Sequence, residues 1–287
     1  MTDIKWHQEE KPKMRVNTRE GVTYLTYPEF DKLPGFVHAF STRLGGVSEG
    51  IYSSMNLSFT RGDKEEAVKE NYKRMADAAG FDMNDIVTSD QTHTANVRLV
   101  TEKDRGNGIT RPRPYTDVDG MITNVPGIVL VTSYADCVPL YFVDPVRKAI
   151  GLSHSGWKGT VGHIGQKTVE KMHEVYGSEP KDIVAAIGPS ICQSCYEVSD
   201  DVAEAFRANF TADEAADILL DKGNGKYQLD LWKANWYVLT DAGILPEHLS
   251  VTDLCTACHP DLLWSHRKTN GQRGGLSAFL SLIDTSV

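Results

Sequence analysis

The sequence predicts a mixed α/β (α+β) fold: one compact domain with mixed β-sheets set between helices. Three observations carry that expectation. Apolar runs rich in β-branched and aromatic residues alternate with stretches of helical periodicity. No internal repeat or low-complexity tract interrupts them. A length of 287 residues with 40% hydrophobic content suffices for a sizeable core without disulfide staples.

The elements follow in order. Met1–Arg19 is charged and polar and is expected as an N-terminal arm, with residues 20–287 as the single domain. Phe36–Ser41 is a short apolar run suited to a buried strand. Asp63–Gly80 reads as a helix. Asp63 and Glu66 form a capping signature, Val68, Tyr72, Met75 and Ala79 share one face, and Gly80 stops it. Ile128–Tyr134, Val138–Val143 and Ala149–Leu152 read as strands, with a turn at Asp144-Pro145. Thr160–Tyr176 is expected as one helix with a stripe of Val161, Ile164, Thr168, Met172 and Val175. Ile183–Ile187 is a strand ended by Gly188-Pro189, and Leu231–Ala242 a helix stopped by Gly243. Leu249–Leu254 and Leu262–Ser265 read as late strands. Asp104–Tyr115 and Asp221–Lys226 read as flexible loops.

Charge and composition exclude several classes. The formal net charge is −9 with no strong basic cluster, against a nucleic-acid partner. No run approaches the roughly 20 apolar residues of a membrane helix. Residues Met1–Met14 hold no apolar stretch of the secretory kind, so a cytoplasmic location is expected. There the five cysteines would be thiols, metal ligands or catalytic groups.

Three polar segments interrupt the pattern at strand ends: Gln91-Thr92-His93, Ala135-Asp136-Cys137 and Ser153-His154-Ser155-Gly156-Trp157. His93, Cys137 and His154 make a donor set for a borderline-soft divalent ion. Zinc accepts thiolate and imidazole, and three protein ligands leave a fourth position open, as in catalytic sites. Copper accepts the same set. A buried free thiol, a surface histidine and a core histidine would explain the same residues. Gly156-Trp157-Lys158-Gly159-Thr160 opens a helix, which suits either a phosphate or a tight glycine turn. Cys192/Cys195 and Cys255/Cys258 are two C-x2-C pairs, either one four-cysteine zinc site or plain thiols.

Ordered motifs over nearly the whole chain, Phe36 to Leu282, then carry a family resemblance. They include Phe40-Ser41-Thr42-Arg43-Leu44-Gly45-Gly46, Ser54-Met55-Asn56-Leu57, Gln91-Thr92-His93 and Asp119-Gly120. Further on stand Ala135-Asp136-Cys137-Val138-Pro139, His154-Ser155-Gly156-Trp157-Lys158-Gly159, Cys195-Tyr196-Glu197-Val198 and Ser265-His266-Arg267. The chain resembles the purine nucleoside phosphorylase family earlier described as laccase-like polyphenol oxidases, known in eukaryotes as laccase-domain-containing proteins.

The resemblance implies zinc held by His93, Cys137 and His154. It implies a layered α/β fold in a superfamily shared with cysteine-dependent toxin deamidases. The implied activities are phosphorolysis of adenosine, inosine and methylthioadenosine, and deamination of adenosine, with purine nucleoside and phosphate as partners. Editing of peptidoglycan precursors and a copper-dependent polyphenol oxidase side activity are alternatives. A true multicopper oxidase is excluded by counting: it needs about ten histidines, largely in H-x-H pairs, and this chain has nine and no such pair. For phosphate, Arg43, Lys158 and Arg267 are the candidates. Asp136, beside Cys137, is a candidate orienter of the metal ligands. The C-terminal motif departs from the family: Gln272-Arg273-Gly274-Gly275 stands where relatives carry T-G-R-M, with Arg273 a possible substitute for the later arginine. Two other classes stay open. One is a metal-free hydrolase with Cys137 as nucleophile and His154 as base. The other is a zinc-stabilised binding protein.

Overall fold

The computed structural model describes residues 4, 6, 7 and 13–283. In chain order its strands are β1 (Arg15–Arg19), β2 (Val22–Thr26), β3 (Phe36–Ser41), β4 (Ile86–Thr88) and β5 (Val97–Leu99). Then come β6 (Gly120–Thr123), β7 (Val129–Tyr134), β8 (Val138–Asp144), β9 (Ala149–Ser155) and β10 (Val184–Ile187). The last are β11 (Glu197–Ser199), β12 (Leu219–Gly223), β13 (Lys226–Leu229), β14 (Leu249–Val251) and β15 (Leu276–Leu282).

Two six-stranded mixed sheets dominate, in the orders β1-β2-β3-β15-β7-β4 and β14-β10-β8-β9-β6-β5. A small sheet, β11-β13-β12, stands beside them. Side-chain alternation sets the layering. Leu130 and Tyr134 of β7, Tyr141 and Val143 of β8, and Ile150 and Leu152 of β9 meet in one core between the two large sheets. The opposite residues, Val138, Leu140 and Phe142, face a second core with the helices Ile164–Tyr176, Asp200–Asn209 and Leu231–Asp241. Val129 and Val131 face a third core against the helix Glu65–Ala79. The order of layers is helix, sheet, sheet, helices, the mixed α/β class the sequence predicts.

Several elements differ from expectation. The helix expected over Thr160–Tyr176 is two: Trp157–Val161 and Ile164–Tyr176, broken where His163 takes φ 54°. The first long helix begins at Glu65, and its N-cap Lys64 makes no side-chain cap. Asp63 instead accepts from Asn56 Nδ2 at 2.9 Å. Gly80 does end it, at φ 83°. Leu262–Ser265 is buried but is no strand. Leu262 and Leu263 both donate to His259 O in a turn, at 3.0 and 2.8 Å. Of the expected arm, Arg15–Arg19 pairs with β2 as an edge strand. Asp221–Lys226, expected as a loop, is the tip of the β12–β13 hairpin. The loop Asp104–Tyr115 is pinned by the buried Asp104, which takes a bond from Arg98 at 3.0 Å, and by Arg113, bonded to Ser89 O at 2.8 Å.

Candidate functional site

The turn Ala135-Asp136-Cys137 carries the chain from β7 in one large sheet to β8 in the other. Crossing between layers in three residues forces Asp136 to φ 87°, a left-handed conformation tolerated by Asp better than by most residues. The Asp136 carboxylate fixes the bend: Oδ1 accepts from Thr256 Oγ1 at 2.6 Å and Oδ2 from Arg267 N at 2.7 Å. Its carbonyl accepts from Ile191 N at 3.0 Å. Cys137 thus projects where the two sheets separate. His154 reaches the same point from the end of β9, paired opposite Pro139. His93 comes from the loop between β4 and β5, at φ 65°.

One ligand atom from each of His93, Cys137 and His154 falls within 4.8 Å of the others, and Cys137 Sγ stands 4.0 Å from His93 Nε2. Tetrahedral zinc would hold such atoms about 3.3–3.6 Å apart. The group fits a metal after a small contraction. Gly156 makes room for it: a Cβ there would lie 3.0 Å from His93 Cδ2 and 3.2 Å from Cys137 Sγ. Gly156 and Gly159 are therefore needed for close packing. The helix they open is a single turn, Trp157–Val161, and a Cβ on Gly159 would lie 3.3 Å from the His154 carbonyl and 3.4 Å from that of Thr94.

The organiser of the cluster is Asp119, fully buried. Its carboxylate accepts from Thr92 N, His93 N and Thr94 N at 3.0, 3.1 and 3.0 Å, and from His154 Nδ1 at 2.7 Å. This one side chain holds both the His93 loop and the His154 ring. The orienting role expected of Asp136 belongs to Asp119, while Asp136 holds the bend before Cys137. The signal was the Asp119-Gly120 motif, whose role depends on partners distant in sequence.

Electrostatics match the geometry. Burial alone would push the Cys137 thiol up, but the imidazoles of His154 and His93 bring it down to about 6. Burial alone would lower His154, but the sulfur of Cys137 and the carboxylate of Asp119 raise it to about 9. Burial would raise Asp119, yet the bonds from His154 and the Thr94 and Thr92 amides bring it down to about 2. The sulfur is poised as a thiolate, the form a cation binds and the form that attacks electrophiles.

The three residues lie in a cleft of about 760 Å³. Phe59, Tyr115 and Tyr134 line it, as do Arg61, Arg113 and Arg273. Arg113 is neutralised by Asp90 at 2.5 Å. Arg273 is only 8% exposed, and its Nε is buried with no hydrogen-bond partner while Nη1 donates to Gly274 O at 2.9 Å. Burial and the nearby Arg61 lower its pKa to about 10. A guanidinium this buried, with Nε unsatisfied and a second arginine beside it, has the chemistry to hold an anion.

The three phosphate candidates named from sequence do not line this cleft. Arg43 is consumed by Pro260 O at 2.6 Å and Ser53 O at 2.9 Å, with its guanidinium 3.7 Å above Trp264. Arg267 donates to Glu197 O at 2.8 Å and lies over Tyr196. Lys158 is exposed, near the Trp157 ring. Their spacing in the sequence carried no information on which cations already have partners.

Comparison with known proteins places these features in context. The family described as multi-copper polyphenol oxidoreductase laccase matches residues 37–283. The purine nucleoside phosphorylase YlmD of Bacillus subtilis (strain 168) is 40% identical over 86% of this chain and 88% of its own length. The adenosine deaminase RL5, from an unknown prokaryotic organism, is 36% identical over 84% of this chain and 92% of its own. The crystal structure of the Bacillus licheniformis hypothetical protein YfiH superposes with a TM-score of 0.89 at 35% identity, covering 95% of this chain and 100% of that one. The chain belongs to this laccase-like family, in which several relatives carry the name purine nucleoside phosphorylase.

Proposed function

We propose that this chain is a zinc-dependent enzyme that cleaves purine nucleosides by phosphorolysis in the cleft above Cys137. The observation that carries the proposal is the joint placement of the His93–Cys137–His154 cluster and of Arg273, whose Nε lacks a partner, on the walls of one cleft. The names of the relatives supply the substrate class: purine nucleosides, adenosine among them. The substrates are adenosine, inosine and methylthioadenosine.

Each residue has a physical task. His93, Cys137 and His154 would hold the metal, and Asp119 fixes the His154 ring so that Nε2 faces the sulfur. Zinc bound by these three residues would supply Lewis-acid chemistry and a water of lowered pKa. Arg273, with Arg61, binds phosphate by charge-assisted hydrogen bonds. Phe59, Tyr115 and Tyr134 offer apolar surface for the base and sugar. Closeness of phosphate and nucleoside in one pocket supplies the entropic part of the rate.

Deamination of adenosine at the same centre is the second reading. It would use water in place of phosphate, the water oxygen adding at C6 while its protons pass through an acid/base group to the ring nitrogen and the departing ammonia, and the name of RL5 favours it. Copper in the same three ligands would support at most weak oxidation, because the only other metal-capable group among the described residues is rich in cysteine. A metal-free cysteine hydrolase would use the same thiolate, and its activity would survive chelators.

The test is product analysis from adenosine with and without phosphate, on wild type and Cys137→Ala. The expected result is adenine only with phosphate and only from wild type. Inosine formed without phosphate would favour the second reading. Turnover that persists in chelator and stops on thiol alkylation would replace the metal with the cysteine nucleophile.

A further inference from the structure

A second cluster of soft ligands lies apart from the cleft. The parallel neighbours β10 and β14 each lead into a C-x2-C loop, so the two loops run side by side. A bridge between Ser190 and Cys255 joins them, with Thr256 N donating to Ser190 O at 3.1 Å. One ligand atom from each of Cys192, Cys255, Cys258 and His7 lies within 4.8 Å of all the others. Cys195 Sγ stands 3.5 Å from Cys258 Sγ. The Cys192 amide donates to Cys255 Sγ at 3.3 Å.

Packing alone explains this group poorly. Two cysteines, Cys192 and Cys255, are buried in apolar core. Cys258 and His7 are exposed and complete the ring from outside, His7 arriving from a segment remote in sequence. Four mutually close N and S atoms are the donor set of a closed structural zinc site, whose S···S and S···N spacings are about 3.6–3.8 Å. We propose that Cys192, Cys255, Cys258 and His7 form a second, structural site for a zinc-like divalent ion, with Cys195 as an alternate thiolate in exchange with His7. Filling it with zinc releases the three thiol protons to solvent and leaves neutral His7 as the fourth ligand.

The site has a consequence for the cleft. Thr256, inside the second C-x2-C loop, donates its hydroxyl to Asp136, and Ile191, next to Cys192, donates its amide to the Asp136 carbonyl. Both loops therefore grip the residue that sets the bend before Cys137. A metal between them locks that grip and ties the N-terminal segment to the sheet end through His7.

The proposal stands independently of the proposed activity, and its test reads metal without turnover. Cys137→Ala protein, with the cleft cluster disabled, is loaded with Co2+ and examined for thiolate-to-cobalt charge transfer and tetrahedral d–d bands. The bands are expected there and are expected to vanish when Cys192→Ser and Cys258→Ser are added. Wild type is expected to carry two zinc ions per chain and Cys137→Ala one. Should the triple variant not fold, thiol titration of wild type serves instead: a strong chelator is expected to raise the number of reactive thiols by more than Cys137 alone. Folded Cys137→Ala without cobalt bands would overturn the proposal. So would a Cys195–Cys258 disulfide in protein prepared under reductant, since it removes Cys258 and its alternate Cys195.

Discussion

Asp119 and His154 are bonded twice: the carboxylate accepts from the ring Nδ1 at 2.7 Å, and the Asp119 carbonyl accepts from the His154 amide at 2.7 Å. The pairing fixes the tautomer. With its pKa raised to about 9, the metal-free ring is a cation; a metal that displaces the Nε2 proton leaves Nδ1–H on Asp119 and turns the Nε2 lone pair toward Cys137. Replacing Asp119 by Asn removes the charge while keeping the size, and metal affinity is expected to fall about 10–100-fold. Competition with a chromogenic chelator measures it.

Gly156 gives a prediction from space alone. Gly156→Ala places a methyl group 3.0 Å from His93 Cδ2 and 3.2 Å from Cys137 Sγ. Its φ of −73° suits alanine, so no backbone strain enters. Overpacking of this kind costs about 1–3 kcal/mol, and here the neighbours that must move are the ligands. The expected outcome is substoichiometric metal in a folded protein, read by metal analysis beside circular dichroism.

The arginines separate binding from scaffolding. Arg273→Gln is expected to raise the KM for phosphate about tenfold or more, the size of a lost charge-assisted bond, and to change the KM for nucleoside little. Arg43→Ala is expected to leave phosphate kinetics intact. It forfeits the stacking on Trp264, worth about 0.5–2 kcal/mol, and lowers the midpoint of thermal unfolding.

His38 makes stability depend on acid. It is 5% exposed, and its Nε2 accepts from the Tyr27 amide at 2.6 Å, which requires a neutral ring. Burial, with a smaller contribution from Arg15, pushes its pKa from 6.5 to about 3. Because the folded value lies below the unfolded one, this histidine's contribution is complete above pH 6.5 and is lost as pH falls toward 3. Between pH 7 and 5 the loss is about 2 kcal/mol. His38→Gln keeps an acceptor without a titration, so urea unfolding of wild type and variant at the two pH values is expected to show that slope only in wild type.

What was legible in the sequence follows from how local each determinant is. The strands β3, β7, β8 and β9 are β-branched and aromatic runs, and they stand within a few residues of expectation. The stop at Gly80 is a backbone requirement of one residue. Strand β15 escaped notice because Ser277 and Ser281 interrupt its apolar run. Both are buried by neighbours no local pattern reveals. The β1–β2 hairpin is polar along its exposed edge, although Glu20-Gly21, both at positive φ, marks the turn. The metal-capable trio was visible as polar residues that interrupt the apolar pattern, although His93 stands in the loop after β4 and not at a strand end. The dependence on Asp119, and the availability of Arg273 rather than Arg43 or Arg267, come from long-range pairing that only the fold displays.

The most direct test of the central claim is metal titration of chelator-stripped wild type, with phosphate-dependent adenine release from adenosine as the readout. The account predicts no release in the stripped protein, recovery as zinc fills the His93–Cys137–His154 cluster, and no recovery in Cys137→Ala at any zinc concentration. Full phosphate-dependent release from stripped protein, or from Cys137→Ala, would contradict it.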